Sequence, residues 1–260
     1  MDTQLQELAD YAIKYSVDSG VQYCDVRAEE QERKSVLIEN GQTEHVRSIN
    51  DTGIGIRLVK DGTWSFCSIT NPKSKEEIKN AVEGSIKNSL HYAENKKEKF
   101  NLYPNSVVKK KIDYTILEKP ELEKLVQIGT ECNKVILDIP KIIKSVVHPW
   151  YTNNSKYFAN SEGSKILQNF SDVVIDMVAT AHESGLTQSV NITEGGRGGM
   201  EQISKNKKAQ NSAQDIAKKA SELLSAKPAK EEKATVVMNP DFVSLLTHEI
   251  LGHPSEADRV

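Results

Sequence analysis

No run of eighteen or more apolar residues occurs anywhere in the 260-residue chain, so no segment is long enough to cross a bilayer as a helix. No secretory leader is expected either. The first twenty residues (MDTQLQELADYAIKYSVDSG) carry acids where such a leader needs a basic start and an apolar block, and the expected location is therefore the cytoplasm, without a membrane partner. Cysteine is scarce: Cys24, Cys67 and Cys132 are far apart and form no CxxC pair, which excludes a disulfide framework and a cysteine zinc knuckle. Reduced, partly buried thiols are expected. There is no basic excess either, since 34 Lys and Arg face 37 Asp and Glu for a net charge of −3. That balance speaks against a phosphate-backbone partner, and the short clusters Lys109 to Lys111 and Lys205, Lys207 and Lys208 read as solvated faces. The Gly-rich segment TEGGRGGME lacks both the GK[ST] ending of a P-loop and the GxGxxG pattern. It reads as a mobile surface loop.

What is present is an ordinary globular composition, 37% hydrophobic and 27% charged. At about 150 residues per domain, the length fits one large domain or two to three smaller ones. Leu5, Leu8, Ala9, Ala12 and Ile13 recur at helical spacing up to Gly20 and predict an opening amphipathic helix. From Tyr23 to Thr70 the segments CDVRAEE, SVLIEN, EHVRSI, GIGIRLV and TWSFCSIT alternate, with Asn40-Gly41 and Asp61-Gly62 as hairpin turns, and predict an antiparallel meander. Asn71-Pro72 then introduces a helical stripe of Ile78, Ala81, Val82, Ile86 and Leu90. After a polar and aromatic connector (FNLYPNS), a second helix is expected beyond Pro120. Strands follow in KIIKSVVHPWYTN, SKYFANS and VVIDMVATAHES, broken at residues 160–163. A helix around SAQDIAKKASELLSA ends in a charged linker at Lys227-Pro228. The expected fold class is α+β: an N-terminal domain over residues 1–103, a second α/β domain over 104–228, and the start of a third at 229–260.

The pattern becomes specific in the last thirty residues. ATVVM reads as a strand, Asn239 as a helix N-cap, Pro240 as N1, and Asp241 places negative charge in the first turn. A helix is then expected through FVSLLTHEILG. At about 100° per residue, Glu249 falls about 20° from Phe242, inside the apolar arc of Leu245, Leu246, Val243 and Ile250. A carboxylate there is costly unless it is paired, protonated, metal-linked or open to a cleft. It is flanked by His248 and His253. In the HExxH arrangement of zinc proteases the histidines are four apart and share a helical face, whereas here they are five apart, about 140° around an ideal helix. Pro254 and Gly252 supply a remedy by ending or distorting the helix, and a wide turn of the π type would also join i to i+5. The chemistry indicated is a catalytic zinc site: two imidazoles hold the ion and the adjacent carboxylate takes the proton of a water. His45, His91, His148 and His182 have no such setting and read as structural or surface residues.

The helix THEILGHPSEADRV resembles the HExxxH signature of the TldD/PmbA family of metalloproteases, and the Gly53-x-Gly55-x-Arg57 strand and order of units agree with it. The resemblance implies that His248 and His253 are metal ligands and Glu249 the general base, with Glu256 and Asp258 as acids that support the site. It implies zinc as cofactor, with a third ligand, a cysteine, in a C-terminal domain that starts near Ala234 and continues past Val260. On that reading the chain is the N-terminal portion of a TldD-like protease hydrolysing short or unfolded peptides, inactive by itself. The partners implied are a peptide substrate and a second chain, as a homodimer or as a heterodimer with a PmbA-like paralogue. The alternative is a non-catalytic module of the same family that binds peptides or a partner.

Overall fold

The computed structural model describes residues 1–95, 99, 102, 103, 105–228 and 230–256. Two compact units are present, Met1–Ser225 and Ala226–Val260, and each is described by itself. Among the described residues, no helix is long and apolar enough to cross a membrane.

The larger unit is a mixed helix and strand structure built on one curled, chiefly antiparallel sheet. Helix α1 (Thr3–Asp18) is capped by the Asp2 side chain, which accepts from the Gln4 backbone N–H. Strands β1 (Tyr23–Glu39), β2 (Gln42–Lys60) and β3 (Thr63–Thr70) form the expected meander through the Asn40-Gly41 and Asp61-Gly62 turns. All four turn residues have positive φ, which is the conformation a two-residue hairpin loop needs. Helix α2 (Lys75–Asn95) follows, then the short strand β4 (Lys109–Asp113), helix α3 (Leu122–Leu137), and the long strands β5 (Ile142–Asn160) and β6 (Lys165–Glu183). Strand β7 (Leu186–Arg197), the single turn α4 (Glu201–Ser204) and helix α5 (Lys208–Leu223) complete the unit. The sheet order is β3-β2-β1-β5-β6-β4, with β7 also on β6, and among the described residues only the β4–β6 pair is parallel.

Several expected segments merge. CDVRAEE and SVLIEN are one 17-residue strand, and EHVRSI and GIGIRLV are one 19-residue strand. The polar QERK stretch between the first two had the look of a break. It lies instead between two apolar clusters that share β1: Cys24, Val26 and Ala28 pack under α1 and α2, while Val36 and Ile38 pack under α3 and α5. All five positions are even, so both helical layers lie on the same face of the sheet. Strand β5 repeats this on odd positions, with Val147 and Tyr151 in one cluster and Tyr157 and Ala159 in the other. Strands on both sides of the expected boundary at residue 103 belong to this one sheet.

Helix α3 sits close to the sheet because Gly129 leaves room: a Cβ there would lie 2.7 Å from Ile38 Cδ1. Its buried Asn133 accepts from the Gly41 N–H (2.6 Å) and donates to Ser145 Oγ (2.9 Å), tying the β1–β2 turn to β5. Burial pushes the Cys24 and Cys132 thiols up to about 12 and raises that of Cys67, so these are inert, reduced side chains.

Two expectations are corrected. The segment TEGGRGGME is not a mobile loop: Thr193–Arg197 continues β7 against β6. A Cβ on Gly195 would collide with the Val173 carbonyl and one on Gly199 with the Glu118 carbonyl, so these glycines serve close backbone approach. The anion that this Gly-rich turn accepts is its own Glu201, whose carboxylate takes the N–H groups of Gly199 (2.8 Å) and Glu118 (2.9 Å). The second correction concerns ATVVM, which forms no strand; in its own unit no partner strand is present among the described residues, and a strand without a ladder leaves its backbone to water.

Partial burial alone would raise the Glu201 pKa, but the backbone N–H donors around it win and hold it below the ordinary glutamate value. A depressed folded-state pKa contributes stability at neutral pH that is lost as pH falls through that value. Glu201→Ala should therefore cost about 1–3 kcal/mol at pH 7, the penalty for stranded donors. The gap from the parent protein should narrow below about pH 4. Urea unfolding at both pH values measures this, and a gap independent of pH would remove Glu201 from the role.

Candidate metal centre

The smaller unit carries the histidine motif. Asn239 caps helix α6 (Pro240–Thr247) by accepting from the Phe242 N–H at 2.9 Å, with Pro240 in the first turn. The α-helix stops earlier than expected. His248–Gly252 form a π-helical turn and His253–Ser255 a 3-10 turn that contains Pro254. The widened turn closes the angular gap left by five-residue spacing, and the two imidazoles come to lie with ring centroids 4.5 Å apart at 75°.

Ligand atoms of His248, Glu249 and His253 all lie within 4.8 Å of one another. His253 uses its two nitrogens differently: Nδ1 is 2.7 Å from Glu256 Oε1, while Nε2 faces Glu249 Oε2 at 4.0 Å. Gly252 leaves space beside the first ring, since a Cβ there would come only to 3.7 Å from His248 Nδ1. Two imidazole nitrogens beside a carboxylate form a donor set that suits zinc, and a carboxylate on the far nitrogen of a ligand histidine is the usual way such a ring is oriented. The residues present therefore fit a zinc ion.

Each expected site residue can be located. His248, Glu249 and His253 are brought together, and Glu256 joins them through His253. Asp258 lies outside the described residues. The expected burial of Glu249 is not met in this unit, because its side chain is 59% exposed, and Phe242 and Leu245 of the same arc are exposed too, at 54% and 56%. The remaining histidines belong to the larger unit. His182 ends β6 with Nδ1 2.9 Å from Thr187 Oγ1, and His148 lies 3.8 Å from Asp176, its pKa lowered by burial. The direct pairing of Glu256 with His253 was not among the expectations, although the i, i+3 spacing across a proline-broken turn signals it.

A helix that brings His, Glu and His within reach of one ion carries the donor pattern that metalloproteases use. Known proteins give the same class. PmbA/TldA metallopeptidase domain 1 matches residues 24–89, and the PmbA/TldA metallopeptidase central domain matches residues 115–227. The chain belongs to the PmbA/TldD metallopeptidase family. A protein named Metalloprotease from Methanothermobacter thermautotrophicus is 25% identical over 259 residues, covering 96% of this chain and 54% of the relative. A zinc metalloprotease TldD homolog from Saccharolobus solfataricus is 23% identical over 261 residues, covering 95% and 53%. The chain thus spans about half the length of the curated relatives it matches. Among solved structures, a candidate modulator of DNA gyrase from Bacteroides thetaiotaomicron shares the fold with a TM-score of 0.65 at 14% identity, over 84% of this chain and 49% of that one.

Two imidazoles fall short of the three protein ligands usual for catalytic zinc. Zinc added to the 260-residue chain should bind weakly and leave with a mild chelator, and His248→Ala should abolish the binding. Equilibrium dialysis with elemental analysis reads this; unchanged zinc in the variant would remove His248 from the ligand set.

Proposed function

We propose that this chain contributes the HExxxH half of a zinc-dependent peptidase that hydrolyses short or unfolded peptides. The observation that carries the reading is the π-helical turn, which gathers His248, Glu249 and His253 within 4.8 Å despite five-residue spacing. In this reading the imidazoles of His248 and His253 hold the ion and Glu256 keeps the His253 ring oriented. A zinc ion supplies Lewis-acid polarisation and lowers the pKa of a water toward neutrality. Glu249 takes the proton from the water that attacks the peptide carbonyl and returns it to the departing amine, so that the C–N bond breaks without a free amide anion. A third protein ligand comes from outside the described residues, a thiolate on the family resemblance.

In the complete protein, Glu249→Gln should keep zinc and lose peptidase activity by at least about 100-fold, the lower range for a general base. Retained turnover would move the base elsewhere. Glu256→Gln should weaken zinc binding by about 10–100-fold, as loss of an outer partner of a ligand histidine does; competition with a chromophoric chelator measures this without turnover. The 260-residue chain should show no cleavage of a fluorogenic peptide. Zinc-dependent cleavage by it, removed by His253→Ala, would overturn the need for an outside ligand.

A further inference from the structure

The sheet of the larger unit has a second face that, among the described residues, carries no helix of that unit, and the aromatic residues are concentrated on it. Both tryptophans of the chain and three of its five phenylalanines, Trp64, Phe66, Trp150, Phe158 and Phe170, occupy positions opposite in parity to the aliphatic cores. Four of them are capped by arginines: Arg57 over Trp64 (4.7 Å), Arg33 over Trp150 (4.8 Å), Arg27 over Phe158 (5.2 Å) and Arg197 over Phe170 (3.9 Å). Among the described residues Phe66 has no such cap, and it is 66% exposed. Beside it runs a groove of about 510 Å³ whose floor is formed by Gly53 and Gly55 and whose walls include Phe66, Arg27, Glu29 and Thr70.

Charge narrows the class of occupant. Arg27 and Arg57 both bind the buried Asp25, and Glu29 pairs with Lys156 at 3.2 Å. The groove therefore has stacking surface without a net positive field, which is the reverse of what a nucleic acid strand requires. Arginine, phenylalanine and isoleucine around an open recess, with hydroxyl, amide and carboxylate side chains at the rim, are the composition of a protein recognition surface. We propose that the groove at Gly53, Gly55 and Phe66 binds an extended peptide segment by taking up one of its aromatic side chains. Gly53 leaves floor space for that ring, Phe66, lying over Gly55, stacks against it, and Gln31, Ser68 and Thr70 offer hydrogen bonds to the peptide backbone. The inference does not depend on the metal centre.

The test uses the 260-residue chain in the presence of EDTA, so that zinc takes no part. A fluorescein-labelled peptide Ser-Glu-Lys-Ser-Phe-Ser-Lys-Glu and its alanine counterpart at the Phe position are titrated by fluorescence anisotropy. The Phe peptide should bind saturably and at least about tenfold more tightly than the Ala peptide, the effect of burying one aromatic ring. Phe66→Ala, which removes the wall, and Gly53→Val, which fills the floor where a Cβ would meet only the Ile69 carbonyl oxygen at 3.4 Å, should each weaken it at least about tenfold. Thermal unfolding of both variants checks that the sheet persists, and either variant alone decides if the other does not fold. Equal binding of the two peptides, parent-like binding by a folded variant, or no saturable binding overturns the proposal. Tighter binding of a twelve-residue oligothymidylate, or a self-association in sedimentation that Phe66→Ala abolishes, overturns it as well and assigns the face to nucleic acid or to a second copy.

Discussion

Strict alternation of side chains along four long strands is the constraint on which the larger unit rests. Strands β1, β2, β5 and β6 are 17 to 19 residues long, and three of them supply both apolar clusters with residues of a single parity. A slip by one residue in β1 would expose Val26 and Val36 together and put a charged side chain, Asp25 or Arg27, where Val26 lies. The register is thus fixed twice in the same ladder. The polar band between the clusters, with Glu30, Glu32 and Lys34 on β1 facing β5, sits on the helix-bearing face between the two helical layers and is met there by the start of α1, where the Met1 amine donates to Ser155 Oγ and the Asp2 N–H to Glu30.

The opposite face settles its charges locally. Asp25 is fully buried and would be costly alone, but Arg57, directly across on β2, and Arg27, two residues along, both bind it. This gives the Gly53-x-Gly55-x-Arg57 strand a physical meaning. Arg57 neutralises the buried acid and stacks on Trp64, and the Phe66 ring lies 3.4 Å from the space a Gly55 side chain would enter. An aromatic ring laid over a strand glycine shields backbone that would otherwise face water.

Much of this was legible in the sequence. Helices α1, α2, α3 and α5 follow from apolar spacing, and the Asn40-Gly41 and Asp61-Gly62 hairpins from turn chemistry alone. What periodicity could not supply was tertiary context. QERK looks like an interruption unless two separate cores are known to lie under one strand. Strands β4 and β7 have little apolar alternation of their own and exist because β6 offers them a ladder. The Gly-rich turn reads as loose until the Glu118 and Val173 carbonyls are in place beside it. The metal centre was more legible, because Gly252 and Pro254 mark the site where the helix must change pitch. The exposure of Glu249 was not legible, since a helical wheel assumes a regular helix and a covered arc.

The pairing of β1 with β5 joins residues more than one hundred positions apart, from Asp25 with Asn160 to Glu39 with Val146. As the chain emerges during synthesis, β1, β2 and β3 can close as hairpins at once, but the other edge of β1 must wait for most of the larger unit to be made. Long-range strand pairing of this kind is slow, and an open edge in the meantime is a template for misassembly. The charged centre of β1, Glu29 through Lys34, lies along that waiting edge. Such residues discourage edge-to-edge association. The same polar stretch that separates two cores in the finished fold thus guards the nascent chain until β5 arrives.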